Sequence, residues 1–129
     1  MKFRILILFL LLSLTGSAQS VLFCEDVSAE GKPVHASSYF IIGNNGGSLM
    51  MLIQLSDVIN SHSLKIDFFK MDEDTKKEIY HSSIQANPKP HYTWFKKEIN
   101  FHEAGEYIVY VYDETDKLIG VGKVRIVVG

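Results

Sequence analysis

Apolar residues along this chain occur in short runs that are separated by segments rich in polar, glycine and proline residues. Eight runs stand out, at residues 21–27, 39–42, 49–55, 64–71, 79–86, 93–101, 106–113 and 118–128. Short alternating runs bounded by turn residues are typical of β-strands, and no segment keeps a sustained 3.6-residue period. Residues 56–62 could form a single helical turn. The pattern therefore predicts an all-β, two-sheet antiparallel sandwich of seven to eight strands.

The alternation also predicts which side chains face the core. In residues 64–71, Leu64, Ile66 and Phe68 fall on one face and Phe69 on the other, because successive strand residues point to opposite sides. In residues 106–113, the row at 107, 109 and 111 should point inward and the row at 108, 110 and 112 outward. Residues 49–55 are apolar on both faces, which predicts a central strand that is buried on both sides.

Residues 101–111 resemble the end of an immunoglobulin-like or fibronectin type III-like sandwich. In those folds a turn with glycine leads into strand F, whose early tyrosine returns its hydroxyl to the preceding loop. Gly105 and Tyr107 match this tyrosine corner. The resemblance implies that strands C, F and G are neighbours in one sheet. Val109 stands where antibody domains have a cysteine, and no tryptophan lies in residues 64–71, so no antibody-type function is implied.

The first 18 residues predict a cleavable secretory signal. Lys2 and Arg4 precede an apolar run, and Gly16 and Ala18 provide small residues before a cleavage site. We therefore expect a signal peptide at 1–18, one domain at 19–129, and a secreted, periplasmic or cell-surface location. A retained membrane anchor is the alternative, although the apolar run is shorter than the roughly 20 residues that a membrane span needs. Nothing after residue 20 is long enough for membrane insertion.

Charge and cysteine content narrow the partner classes. Removing Lys2 and Arg4 from the 13 basic and 15 acidic residues leaves a mildly acidic domain without a basic stripe, so nucleic acid is not an expected partner. The only cysteine, Cys24, excludes an internal disulfide. Cys24 could carry a lipid in a bacterial lipoprotein, but Leu22 and Phe23 are poor residues before such a site. A buried thiol in the first strand is the preferred interpretation.

No motif predicts catalysis or a cofactor. The five histidines lack the tight spacing of a zinc site, and Gly-x-Ser-x-Gly is absent. Asp72 begins a stretch that superficially resembles a calcium loop, but lysines follow where a further acidic ligand and a glycine are needed. Residues 43–47 are glycine-rich without the Lys-Ser/Thr of a P-loop. The chain is therefore expected to be non-enzymatic, with no metal or cofactor.

A surplus of aromatic residues outside the predicted core is the most informative functional feature. Four residues should share the outward face of one sheet, namely Phe69, Tyr110, Tyr112 and Val121. Such a patch suits recognition of an unknown protein partner or a homodimer, because contiguous apolar patches often mark interfaces. The alternative function is a carbohydrate-binding module or accessory domain that uses Tyr92 and Trp94 as a stacking platform.

Overall fold

The structure is a computed structural model, and it describes residues 20–55, 63–88 and 93–129. Within these residues there is no helix. The ten strands are β1 (Ser20–Cys24), β2 (Asp26–Val27), β3 (Pro33–Val34), β4 (Tyr39–Ile42), β5 (Gly47–Gln54), β6 (Leu64–Met71), β7 (Glu78–Ala86), β8 (Trp94–Phe101), β9 (Gly105–Tyr112) and β10 (Leu118–Val128). The predicted signal at 1–18 and the possible helical turn at 56–62 lie outside the described residues.

The long strands form two halves that pack face to face. The smaller sheet has the antiparallel order β1–β5–β8, and the larger has the antiparallel order β7–β6–β9–β10. Strand β4 extends the larger sheet by pairing in parallel with the end of β10. A single parallel residue pair between Ser20 and Val121 joins the two halves along one side.

The core lies between these sheets and is built from the rows that the alternation predicted. The inward rows of the larger sheet include Ile66 and Phe68 from β6 and Val109 from β9, all of which are buried. Across the core, the ring of Phe101 from β8 lies edge-on to the ring of Tyr107 from β9, with centroids 5.0 Å apart. Aromatic pairs in this geometry add to the stabilisation that comes from burial alone.

A short hairpin formed by β2 and β3 lies over the outer face of the smaller sheet. It encloses a second buried cluster of Cys24, Val27 and Leu52, against which Met50 and Trp94 pack. This cover explains why β5 is apolar on both faces, as the sequence predicted. The Cys24 thiol is buried 3.6 Å from the Met50 carbonyl oxygen, and burial raises its pKa.

The turn before β9 forms the predicted tyrosine corner. The Tyr107 hydroxyl donates a hydrogen bond of 2.9 Å to the carbonyl oxygen of Glu103. Gly105 adopts a φ of 155°, and a Cβ atom there would lie 2.5 Å from Cε of Lys70. With three strands packed against four and this corner, the domain is an immunoglobulin-like, fibronectin type III-like β-sandwich. Val109 replaces the cysteine of antibody domains as a fully buried core residue.

Two details differ from the sequence-based expectation. Residues 21–27, predicted as one strand, form β1 and β2, because the chain leaves the smaller sheet after Cys24 and pairs with β3 instead. The two hairpin strands, β2 and β3, raise the strand number from the eight predicted runs to ten. The seven long strands that form the two sheets correspond to predicted runs.

Candidate functional site

The outward side of the larger sheet carries a continuous set of aromatic and aliphatic side chains. The pairing register explains this, because Tyr110 lies opposite Asp67 on β6 and opposite Val121 on β10. Side chains that are directly paired across a sheet point to the same face. We call this surface the aromatic face and define it by Phe69, Tyr80, Tyr110, Tyr112, Leu118 and Val121.

Three rings form an edge-to-face ladder across β7, β6 and β9. The Phe69 ring lies 5.7 Å from the Tyr80 ring and 5.4 Å from the Tyr110 ring, centroid to centroid, with interplanar angles of 79° and 87°. This contact leaves Phe69 and Tyr110 half-buried, while Tyr80 is 57% exposed. The ladder is a preorganised surface, because each ring is held in place by its neighbour.

The hydroxyl of Tyr110 is tied to the edge of the sheet. It donates a hydrogen bond of 2.6 Å to Oε1 of Glu78 on β7. This bond, together with partial burial and the negative charge of Glu78, raises the pKa of Tyr110 to about 12. The bond fixes the orientation of the Tyr110 ring and keeps the hydroxyl protonated at all ordinary pH values.

Charged side chains of both signs surround these rings. The ammonium of Lys65 lies 5.1 Å from the Tyr112 ring centroid and 3.8 Å from a carboxylate oxygen of Asp116. Glu106 accepts contacts from Lys123 at 3.5 Å and Arg125 at 3.4 Å. Such exposed pairs contribute little to stability, but they give the aromatic face a polar rim of mixed charge.

The structure brings together the four residues that the sequence analysis placed on this face. Phe69, Tyr110 and Tyr112 are half-buried by contacts with their neighbours, and Val121 is 45% exposed. Ile108 also belongs to the outward row but is only 4% exposed, between its cross-strand partners Phe69 and Lys123. A role of these residues in binding stays a prediction.

Sequence reasoning missed Tyr80, which is the most exposed ring of the aromatic face. Simple alternation along β7 would place Tyr80 on the same side as Ser82 and Ile84, which face inward. A β-bulge at His81 adds one residue to β7, so Tyr80 pairs with Phe69 on the outward side. No residue of β7 signals this bulge in the sequence. Leu118, which is 47% exposed, pairs with Tyr112 and was missed because a register shift between Leu118 and Gly120 takes it out of the alternation that places Val121 outward.

The second predicted cluster is arranged differently from a sugar-binding platform. The Trp94 indole is half-buried against the β2–β3 hairpin, where a Cβ atom on Gly31 would lie 2.5 Å from three of its ring atoms. One face of the indole is therefore covered by the Gly31 backbone. Trp94 and Phe95 point to opposite sides of β8. Tyr92 lies outside the described residues.

The charged turns have local roles. The Asp72 carboxylate accepts hydrogen bonds from the backbone N–H and the hydroxyl of Thr75, at 3.0 Å and 2.6 Å, and these bonds lower its pKa. Asp113 holds the β9–β10 turn in the same way through Thr115. Among residues 20–55, 63–88 and 93–129, no three histidine, cysteine or acidic side chains are grouped closely enough to hold a metal ion. The same residues contain no helix that could span a membrane.

No protein family matches this chain in a scan of family descriptions, and no curated protein matches it in sequence. Several solved structures are similar to it. An immunoglobulin-like protein from Pseudomonas aeruginosa is 13% identical, with 84% of this chain and 89% of that chain covered and a TM-score of 0.47.

Two further structures show likeness at the same level. The soluble domain of PmoD from a Methylocystis species is 15% identical, with 84% and 89% of the two chains covered and a TM-score of 0.45. A superoxide reductase, neelaredoxin, from Ignicoccus hospitalis is 7% identical, with 90% and 86% covered and a TM-score of 0.45.

Proposed function

We propose that this chain is an exported, non-enzymatic binding module that recognises another protein at the cell envelope or outside the cell through its aromatic face. The observation that carries the proposal is the contrast between the two outer faces of the sandwich. The β2–β3 hairpin covers apolar residues of the smaller sheet, whereas no described segment covers the aromatic face. A sheet face that keeps exposed rings without a cover of its own is suited to a partner.

The composition of the face supports a protein as the partner. Its centre holds tyrosine, phenylalanine and valine side chains, and its rim holds lysine, arginine and glutamate. Protein interfaces have this arrangement of an aromatic centre and a polar rim. Tyr80 and Tyr110 present large surfaces with few rotatable bonds, so binding costs them little conformational entropy.

Site-specific cross-linking in the native host tests the proposal. A photo-reactive phenylalanine analogue replaces Tyr80 in one variant and Val34 in the other. Val34 is the matched control, because it is an exposed apolar residue of the hairpin on the opposite side. We expect position 80 to cross-link to one defined protein and position 34 not to. Cross-linking of the same protein from both positions, or from neither, would contradict the proposal.

The partner identified in this way allows a quantitative test. The double substitution of Tyr80→Ser and Val121→Ser should weaken binding by about 2 kcal/mol or more if these residues are hot spots, while Val34→Ser should have little effect. A cross-link to a second copy of the chain would instead indicate a homodimer.

N-terminal sequencing of the same material should find a mature chain that begins at or near Gln19. A retained N-terminus in the membrane fraction would refute export by signal cleavage.

A further inference from the structure

The sandwich is closed on one side and open on the other. On the closed side, β1 and β4 both run along β10. On the open side, β7 ends the larger sheet and β8 ends the smaller one, and neither pairs with a further strand in the described part of the chain. A cleft with a volume of about 340 Å³ lies between these two edges.

The floor of this cleft is formed by core side chains. They are Phe68, Ile84, Ile99, Phe101 and Tyr107. Four of them are buried members of the main core, and Ile84 packs against it. The floor is therefore apolar, and the volume falls within the range of about 300 to 1,000 Å³ that is usual for small-molecule sites.

A lysine stands at the mouth of the cleft on the inward side of β8. Lys97 pairs with Met51 in the register, and Met51 points into the core, so Lys97 belongs to the inward row together with Ile99. Its side chain is half-buried and lines the cleft. Within the described residues, the ammonium of Lys97 makes no ion pair or hydrogen bond.

The acidic groups near the mouth do not neutralise Lys97. Two acidic residues also line the cleft: the Glu103 carboxylate is held by Lys70 at 3.0 Å, and Glu98, an exposed residue of the outward row of β8, makes no ion pair with Lys97. Two imidazoles, those of His81 and His102, also line the cleft. Among the described residues, the mouth therefore carries one ammonium without an ion-pair partner, above an apolar floor.

We infer that this cleft binds a small amphipathic carboxylate, with its apolar body on the floor and its anionic head against Lys97. A carboxylate at this point would pair a half-buried ammonium that has no ion-pair partner in the described part of the chain, and a charge-assisted bond of this kind is stronger than one between neutral groups. The apolar body would be removed from water by the floor. This site is separate from the aromatic face, and the inference does not depend on the proposed function.

An added strand is a poorer occupant than a small molecule. The His81 bulge interrupts the regular edge of β7, and Lys97 is a charge on the inward side of edge strand β8. Bulges and inward-pointing charges are the devices by which sheets resist pairing with further strands. The same lysine that discourages a strand can bind an anion whose tail enters the cleft.

Calorimetric titration of the mature domain with decanoate, and with decanol as its uncharged counterpart, tests the inference. We expect one site for decanoate and binding of decanol that is about tenfold weaker or more. Lys97→Met, which keeps the chain length and removes the charge, should weaken decanoate binding by a similar factor. Lys96→Met is the matched control, because Lys96 is exposed on the outward row next to it, and it should bind as the unchanged domain does.

A second pair of variants tests the cleft itself. Ser82 lines the cleft, whereas Ser83 points to the aromatic face and donates a hydrogen bond to Asp67. Ser82→Phe should fill the cleft and abolish binding, and Ser83→Phe should not. No saturable decanoate binding to the folded domain would overturn the inference, and so would equal affinities of the two lysine variants. If Ser82→Phe does not fold, the lysine pair and the decanol comparison decide.

Discussion

Replacing Tyr107 by phenylalanine isolates the hydrogen bond of the tyrosine corner. The ring is 2% exposed and contacts the rings of Phe101 and His81 at 5.0 Å and 5.6 Å, so Tyr107→Phe keeps the packing and removes only the bond to the Glu103 carbonyl. One such bond contributes a net of about 0.5 to 1.5 kcal/mol to the free energy of unfolding. We therefore expect Tyr107→Phe to cost about 1 kcal/mol.

Two companion variants set the scale of this effect. Tyr107→Ala also removes the ring and should cost about 3 to 5 kcal/mol, as for other large aromatic-to-alanine changes in a core. Tyr112→Phe is the matched control on the same strand. Tyr112 faces outward, and its hydroxyl makes no hydrogen bond within the described residues. Its free energy of unfolding should stay within about 0.3 kcal/mol of the unchanged domain.

Urea denaturation followed by circular dichroism measures these differences. A domain of this size loses about 1 to 3 kcal/mol per molar urea, so a loss of 1 kcal/mol lowers the midpoint by about 0.3 to 1 M with an unchanged slope. If Tyr107→Phe matches Tyr112→Phe, the hydroxyl does not stabilise the turn. The structural argument for the corner would then fail, although the all-β core would remain.

Two other predictions concern local contacts. Glu78→Gln should lower the pKa of Tyr110 from about 12 towards 10, because the negative charge that holds the hydroxyl proton is removed. NMR titration of the tyrosine Cζ signals measures this pKa, and the control substitution Glu106→Gln should leave it unchanged. Because the folded pKa exceeds the unfolded one, the stabilisation from this proton is complete below about pH 10 and is lost as pH rises through about 12. Gly31→Ala should destabilise the β2–β3 hairpin and expose the Trp94 indole, since φ is 79° at Gly31 and a Cβ atom there would meet the ring. An unchanged maximum of the tryptophan fluorescence would contradict this packing.

The sequence predicted the sandwich because its strands follow strict alternation wherever one row meets the core. The rows of β6 and β9 were assigned correctly, since side chains alternate with a period of two and the inward rows are uninterrupted. The corner was predicted because Gly105 and Tyr107 occur together before an alternating strand. Both signals are local, and therefore visible in a single chain.

The sequence did not predict the features that depend on segments far apart in the chain. The apolar outer side of β5 indicated that something covers Leu52, but nothing in the sequence identified the β2–β3 hairpin as the cover. The bulge at His81 reverses the side of Tyr80, and an extra residue in one strand is defined only by its partner strand. Sequence alternation therefore located most of the aromatic face and missed its most exposed ring.

The sequence contains one signal of the cleft, which is a lysine in the apolar inward row of β8. Alternation places Phe95, Ile99 and Phe101 on one face of β8, and Lys97 lies in that same row by parity. A lysine inside an otherwise apolar row is informative because burying its charge is costly, so it must lie where the row is open to water or to an anion. The structure shows that the row is open at the cleft, because β8 ends its sheet.

Alternation also allows the two proposed binding sites to be tested separately. In β9, Tyr107 faces the core and Tyr110 the aromatic face, while Lys97 and Ser82 line the cleft from β8 and β7. Because core and surface rows are neighbours in sequence but opposite in direction, a substitution one residue away serves as a control for each. A variant set drawn from these rows should therefore separate the proposed protein recognition from the proposed anion binding, while the stability of the tyrosine corner variants shows whether the fold is intact.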